Sequence, residues 1–93
     1  MSEITEKDIT LLFSMAKLII PKMQEFIQLY SSSEKRIGTV IKYVKNNKII
    51  AIWFDVEKLS ERDLKYIFKH HKQSNKKFFI NYNVDFYRIG FKL

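Results

Sequence analysis

A run of lysines and histidines between residues 65 and 77 is the densest group of chemically active side chains in this sequence. The run contains five lysines and two histidines, and no acid lies within it. Such a cluster can bind phosphates and displace their counterions, so we predict a nucleic-acid contact here. A solvated helix end, stabilised by the helix dipole, explains the same charges without a ligand. The basic cluster comprises Lys65, Lys69, His70, His71, Lys72, Lys76 and Lys77.

The adjacent His70 and His71 raise the question of a metal site. Neighbouring residues on a helix point about 100° apart, so these two do not chelate one ion as residues four apart would. We therefore predict no metal site, with His71 buried at the helix edge and His70 in water.

Asp55, Glu57 and Lys58 combine the residue types of a metal-dependent nuclease. Their spacing does not fit, because such sites pair an acid on an earlier element with an acid-x-lysine sequence on one strand. The acids instead precede a predicted helix and favour its positive end. The sequence has no cysteine and only two glycines, which leaves no thiol nucleophile and no glycine-rich phosphate loop. We predict no enzymatic activity and no cofactor.

A second candidate surface lies on predicted strands. A two-residue turn at Asn46-Asn47 pairs Val44 with Ile49 and places Trp53 on the sheet face away from the helices. On this register the helices cover Ile41, Tyr43, Ile50, Ile52 and Phe54, and they leave Val40, Lys42, Val44, Ile49, Ala51 and Trp53 uncovered.

The uncovered face mixes aromatic rings with cations, as stacking platforms for single-stranded nucleic acid do. A large exposed apolar patch on the same face would equally bind a second copy of the chain or another protein. The predicted platform residues are Lys42, Trp53, Phe79, Phe86, Arg88 and Lys92.

A long amphipathic helix must support these surfaces. Apolar residues recur at alternating spacings of three and four, which predicts a helix over Thr5–Tyr30. Pro21 lies on its narrow polar strip, where water can satisfy the freed carbonyl and the helix bends convex toward solvent. A break near Ile20 into two shorter helices is the alternative.

Both predicted helices begin with the same local pattern. Thr5 and Asp8 predict a capping box for the first helix, and Ser60 and Asp63 predict one for a second helix over residues 60–73. A duplicated unit explains this similarity, and so do capping preferences alone.

Two predicted hairpins complete the fold. The first occupies residues 36–55, and the second joins strands at 76–82 and 86–93. The element order is therefore αββαββ. We predict an α+β protein with a single domain, residues 1–93, in which two helices pack on one face of a four-stranded, mainly antiparallel sheet.

The charge of the chain is unevenly distributed. Its net charge is +7, yet residues 1–34 carry three basic and five acidic residues, whereas residues 35–93 carry fourteen basic and five acidic residues. No apolar run is long enough to span a membrane and the acidic N-terminus is unlike a signal peptide, so we expect a cytoplasmic protein without membrane contact. The richness in Lys, Ile, Asn and Phe is typical of AT-rich genomes, including viruses and mobile elements.

These observations favour a small basic binding protein whose partner is DNA or RNA. The Lys-rich helix end and the aromatic and basic sheet face are its predicted contact surfaces. The alternative is a homodimeric protein-interaction, inhibitor or accessory protein from a virus or mobile element.

Overall fold

The computed structural model describes residues 3–19, 34–37 and 40–93, and of residues 34–37 it describes the backbone only. Within these ranges, two helices accompany a five-stranded sheet in which all neighbouring strands are antiparallel, in the order β1-β2-β3-β5-β4. The helices are α1 (Glu6–Ile19) and α2 (Glu61–His70), and a 3₁₀ turn (His71–Gln73) follows α2. The strands are β1 (Glu34–Ile37), β2 (Val40–Lys45), β3 (Lys48–Val56), β4 (Lys77–Asn83) and β5 (Phe86–Lys92).

The α+β class and the antiparallel sheet are confirmed, and the four predicted strands are present. A short additional strand, β1, precedes them at the sheet edge, so the sheet has five strands rather than four. The second half of the predicted long helix, including Pro21, lies outside the described residues. Among the described helices, none combines the length and apolarity needed to cross a membrane.

The core forms where the apolar side of α1 meets one face of the sheet. Leu12, Met15 and Ala16 of α1 are fully buried, as is Ile67 of α2. The buried residues of α1 are spaced three and four apart, as expected for one face of an amphipathic helix. These residues pack in one cluster with Val40, Ile52, Phe54, Ile89 and Phe91 of the sheet.

Both predicted capping boxes are present. In α1, the Thr5 amide donates to Asp8 Oδ2 at 2.9 Å, and the Asp8 amide donates to Thr5 Oγ1 at 3.4 Å. In α2, the Ser60 amide donates to Asp63 Oδ2 at 3.0 Å, and the Asp63 amide donates to Ser60 Oγ at 3.1 Å. Each box satisfies amides that the first helical turn leaves without an internal partner.

The β2–β3 hairpin has the predicted turn. Asn46 and Asn47 adopt left-handed backbone angles, with φ of 53° and 61°, which asparagine tolerates better than most residues. Val44 pairs with Ile49 across the turn, as predicted.

Beyond the turn the predicted register is wrong. A β-bulge lies between Tyr43 and Val44, so Tyr43 pairs with Ala51 instead of Ile50. Ile41 then pairs with Trp53. One extra residue on β3 shifts every later pair by one position.

The shift exchanges the two faces of β2. On β3 it leaves residues 51–54 on their predicted faces, but Ile49, which was predicted on the uncovered face, packs against the core. Val40 lies in the core, although the sequence predicted it on the uncovered face. Ile41 and Tyr43 share the opposite face with Trp53, although they were expected under the helices. Lys42 pairs with Ile52 and therefore lies on the helix side, so its predicted place on the uncovered face is wrong.

Candidate nucleic-acid interface

The sheet face opposite to the core, which we call the open face, is built from alternate residues of β2 to β5. Side chains on a strand alternate between faces, so the neighbours of core residues such as Phe54 and Ile89 lie on the open face. The strand registers give its membership: Ile41, Tyr43, Ala51, Trp53, Asp55, Lys77, Phe79, Asn81, Asn83, Phe86, Arg88, Gly90 and Lys92.

Two large side chains in the β2–β3 half of the open face, Ile41 and Trp53, are buried. Trp53 lies on the predicted face but is only 6% exposed, so its predicted role as an exposed stacking residue is wrong. The Arg88 guanidinium lies 4.8 Å above the Trp53 ring. No partner for the buried Trp53 Nε1 is found among the described residues.

Gly90 allows β3 and β5 to approach closely at Trp53. It pairs with Trp53 across the sheet, and a Cβ at position 90 would lie 2.8 Å from both Cα and Cβ of Trp53. The same Cβ would also clash with the main-chain oxygen of Ile52. A glycine in a strand interior often marks such a close approach of backbones.

The β4–β5 half of the open face is accessible. Phe79 and Phe86 are half-buried, and Lys77 and Lys92 are exposed. Lys92 Nζ lies 5.6 Å from the centre of the Phe79 ring, within range of a cation–π interaction. We call this half, with Lys77, Phe79, Phe86, Arg88 and Lys92, the platform.

Two like charges face each other on the platform. Lys77 and Lys92 are direct partners in the β4–β5 register, so their side chains leave the sheet side by side on one face. Like charges directly opposite each other destabilise an antiparallel pair. An anion bound between the two ammonium groups would remove that repulsion.

Among the described residues, Arg88 contacts the side chains of Asp55, Trp53 and Phe86. Its Nε and a terminal nitrogen donate to the two oxygens of Asp55 at 2.9 and 3.1 Å. Its guanidinium also lies 5.5 Å from the centre of the Phe86 ring and 4.8 Å from that of the Trp53 ring. The bidentate bond fixes the plane of the guanidinium, which therefore acts as a rigid neighbour to Phe86.

The basic cluster of the sequence is divided between two sides of the molecule. Lys65, Lys69 and Lys72 are exposed on or just after α2, and Lys65 pairs with Glu61 at 3.7 Å. Lys77 instead lies on the open face of the sheet. A ligand on the platform therefore does not meet the helix lysines unless it passes around the β4 edge.

Lys76 belongs to neither surface, which corrects its predicted role. Its side chain is 9% exposed, and Nζ lies 3.4 Å from Asp8 Oδ2 at the start of α1. It also donates to Asn75 Oδ1 at 3.0 Å. A phosphate would have to displace a buried carboxylate to reach it.

Asp8 has contacts beyond its predicted helix cap, and the sequence did not predict them. It also accepts a 2.7 Å hydrogen bond from Ser74 Oγ, in the loop before β4. Burial alone raises the pKa of the Asp8 carboxyl, but hydrogen bonds from Thr5 and Ser74 and the charge of Lys76 outweigh burial and lower the pKa below its ordinary value.

The two histidines are engaged with aromatic neighbours. His71 stacks on Phe78 with ring centres 4.4 Å apart and planes 17° apart. The His70 ring lies 4.3 Å from Tyr66, and its Nδ1 lies 2.8 Å from Gln73 Nε2. Both histidines are half-buried, so the prediction that His70 lies in water is wrong. Across the described ranges, three metal-ligating side chains nowhere come together.

A groove of ≈ 600 Å³ lies between α1 and α2 on the helix side. Its polar lining is partly satisfied by local bonds, since Ser14 Oγ donates to the Thr10 carbonyl at 2.9 Å and His70 contacts Gln73. Lys7 is the lysine among the residues that line the groove. The groove therefore offers less to an anionic ligand than the platform does.

Comparisons with protein-family models, with curated proteins and with solved structures find no match to this chain. The functional inference therefore depends on the chemistry of the surfaces described above.

Proposed function

We propose that this protein binds single-stranded nucleic acid on the platform. The observation that carries the proposal is the pairing of accessible aromatic rings with cations on one sheet face: Phe79 lies beside Lys92, and Phe86 lies beside Arg88. Base stacking on aromatic side chains together with basic groups that follow the backbone is how single strands are bound without strong sequence preference.

The two rings and the two exposed lysines have different roles in binding. Unstacked bases of a single strand lie on Phe79 and Phe86, whereas the Lys77 and Lys92 ammonium groups contact phosphates. A phosphate between these lysines removes the electrostatic repulsion that the like-charged pair experiences in the free protein, and this favours binding. Asn81, exposed on the same face, supplies a donor and an acceptor for a base edge.

A single strand suits this surface better than a duplex. The rings lie on a sheet surface and can only meet bases that are not already stacked inside a helix. Two phosphate contacts predict a modest salt dependence, with a slope of about −1.4 for log K against log salt concentration.

The helix-end lysines Lys65, Lys69 and Lys72 have a secondary place in this proposal. They lie on the helix side, whereas the aromatic rings of the platform lie on the open face of the sheet. They raise the general attraction for a polyanion, and they contact a strand only if it passes around the β4 edge.

The direct test is a titration of a labelled oligothymidylate, followed by fluorescence anisotropy, against the wild type and Phe79→Ala. Loss of one stacking ring should weaken binding by about 1–3 kcal/mol. Tyr66→Ala is the matched control, because Tyr66 is also a half-buried aromatic but lies on the helix side. Equal losses in both folded variants, or no binding by the wild type, would contradict the proposal.

A further inference from the structure

The outer edge of β4 has few of the features by which sheet edges avoid pairing with other chains, since Lys77 at its start is the charged residue of the strand. β4 is seven residues long and runs in one continuous register with β5, without a bulge or a proline. Among the described residues, no strand pairs with its outer side. β1, at the opposite edge, is only four residues long, which is itself a protection.

Exposed apolar side chains accompany this edge. Tyr82 near the end of β4 is 67% exposed, and Val84 in the following turn is 83% exposed. Phe68 of α2 is 52% exposed and its ring lies 6.2 Å from that of Phe78 in β4. Large apolar side chains grouped along an unpaired edge are typical of a surface that another chain covers.

The hairpin geometry determines which backbone groups of β4 are free. Val84 and Asp85 form a two-residue turn, so Asn83 and Phe86 are its closing, hydrogen-bonded pair. Bonding alternates along an antiparallel ladder, so every second residue of β4 directs its N–H and C=O away from β5. These outward residues are Phe78, Ile80 and Tyr82.

We propose that β4 pairs antiparallel with β4 of a second copy of this chain, about a two-fold axis at Ile80. In this register Ile80 meets Ile80 of the second copy, and Phe78 meets its Tyr82. All outward groups then bond to outward groups, which is the self-complementary pattern that a two-fold interface requires.

The sequence of β4 is compatible with a second copy of itself as the occupant. Lys77, the charged residue of β4, meets Asn83 of the other copy, so no like charges face each other. The aromatic pairs of Phe78 and Tyr82 lie on the helix side, next to the exposed Phe68. Cross-strand pairs of this kind stabilise a sheet.

The pairing also affects the platform. A two-fold axis perpendicular to the sheet keeps the same faces of both copies on the same side, so the two open faces join into one continuous surface. Phe79 of each copy then lies opposite Asn81 of the other. The dimer does not depend on nucleic-acid binding, and it can form whether or not the platform has a ligand.

Light scattering and amide hydrogen exchange test the pairing without any mutation. We expect a mass twice the 11.2 kDa of one chain, falling toward 11.2 kDa on dilution. The amides of Phe78, Ile80 and Tyr82 should be protected at high concentration and exchange at least tenfold faster in the diluted monomer. A mass of 11.2 kDa at all concentrations, with these amides unprotected, would overturn the proposal.

A cysteine experiment tests the register, since the chain has no cysteine of its own. Residues paired on the two-fold have Cα atoms about 5.5 Å apart, within the range that a disulfide spans. Ile80→Cys should therefore form a covalent dimer on mild oxidation. Tyr82→Cys is the control, because its two copies would be offset by about 14 Å along the strands. Equal cross-linking of both variants would overturn the register.

Tyr82→Pro tests the same edge by a different route. The outward N–H of Tyr82 has no role within the β4–β5 ladder, and an edge strand tolerates proline at such a position. We expect this variant to remain folded and to be monomeric by light scattering at concentrations where Tyr82→Ala is still dimeric. A folded Tyr82→Pro variant that dimerises like Tyr82→Ala would contradict β4 pairing.

Discussion

The carboxylate of Asp8 accepts a 2.7 Å hydrogen bond from the hydroxyl of Ser74, which lies 66 residues later in the chain. The same Ser74 hydroxyl accepts a 3.0 Å bond from the Lys76 amide just before β4. A helix cap thereby fixes the loop from which the platform strand begins. The network links the first turn of α1 to the position of Lys77.

Asp8→Asn should destabilise the protein by about 3 kcal/mol, because it leaves the Lys76 ammonium buried without its counter-charge. Asp63→Asn is the matched control, since it alters the same kind of capping box in an exposed position and should cost about 1 kcal/mol. Urea denaturation followed by circular dichroism measures both. Equal losses in the two variants would show that Asp8 acts only as a cap.

The lowered pKa of Asp8 predicts a loss of stability in acid. A carboxyl whose folded pKa is depressed stabilises the fold fully above its unfolded pKa of about 4, and this contribution is lost as pH falls through the folded pKa. As the pH is lowered from about 5 to about 2, the melting temperature should fall more steeply for the wild type than for Asp8→Asn. Ser74→Ala, which removes one of the pKa-lowering hydrogen bonds, should show an intermediate slope.

Features encoded by neighbouring residues were predictable from the sequence. The capping boxes follow from residues three apart, and the Asn46-Asn47 turn follows from two adjacent residues. The alternation that places Phe86, Arg88 and Lys92 on one face of β5 is equally local. Phe79, Phe86, Arg88 and Lys92 were therefore predicted on the sheet face where they lie, whereas Lys77 was predicted with the helix-end cluster. Their binding of nucleic acid stays a prediction.

Features that depend on distant residues were not predictable. The β-bulge adds one residue to β3 beyond the turn, and no neighbouring glycine or proline indicates it. Lys76 is indistinguishable in sequence from Lys77, and its burial depends on Asp8 at the other end of the chain. The face of Trp53 was predicted correctly but its burial was not, and the Arg88 guanidinium of another strand lies over its ring.

Gly90→Ala should destabilise the protein by about 1–3 kcal/mol or more, as overpacking at a close backbone contact does. The added methyl group would press on the β3 main chain, which cannot move away without breaking the β3–β5 ladder. Lys92→Ala, on the same strand and face but exposed, should change the free energy of unfolding by less than about 0.5 kcal/mol. Thermal melts of the two variants make the comparison, and a neutral Gly90→Ala would refute the close approach.

Trp53→Ala should cost about 3–5 kcal/mol of stability, the range for truncation of a buried aromatic residue. Trp53→Phe should cost much less, because it keeps a ring under Arg88 and also removes the buried indole N–H. Chemical denaturation gives both values. A Trp53→Ala variant with unchanged stability but weakened oligonucleotide binding would mean that the indole meets the ligand after all.

The division of the basic cluster predicts different effects for its two parts. Replacing Lys77 and Lys92 by Gln removes both phosphate contacts of the platform, so the salt slope for oligothymidylate binding should change from about −1.4 to near zero. The double variant should also be slightly more stable than the wild type, because it removes a pair of like charges in direct register. Anisotropy titrations at several salt concentrations and thermal melts give the two results.

Lys69→Gln with Lys72→Gln is the matched control, because it removes the same charge from the helix side. This variant should weaken binding only through the lower net charge, with a salt slope close to that of the wild type and no gain in stability. If the helix-side variant instead flattens the slope and the sheet-side variant leaves it unchanged, the phosphates lie along α2. The platform lysines would then not be the phosphate contacts, because Lys77 and Lys92 lie beside Phe79 and away from α2.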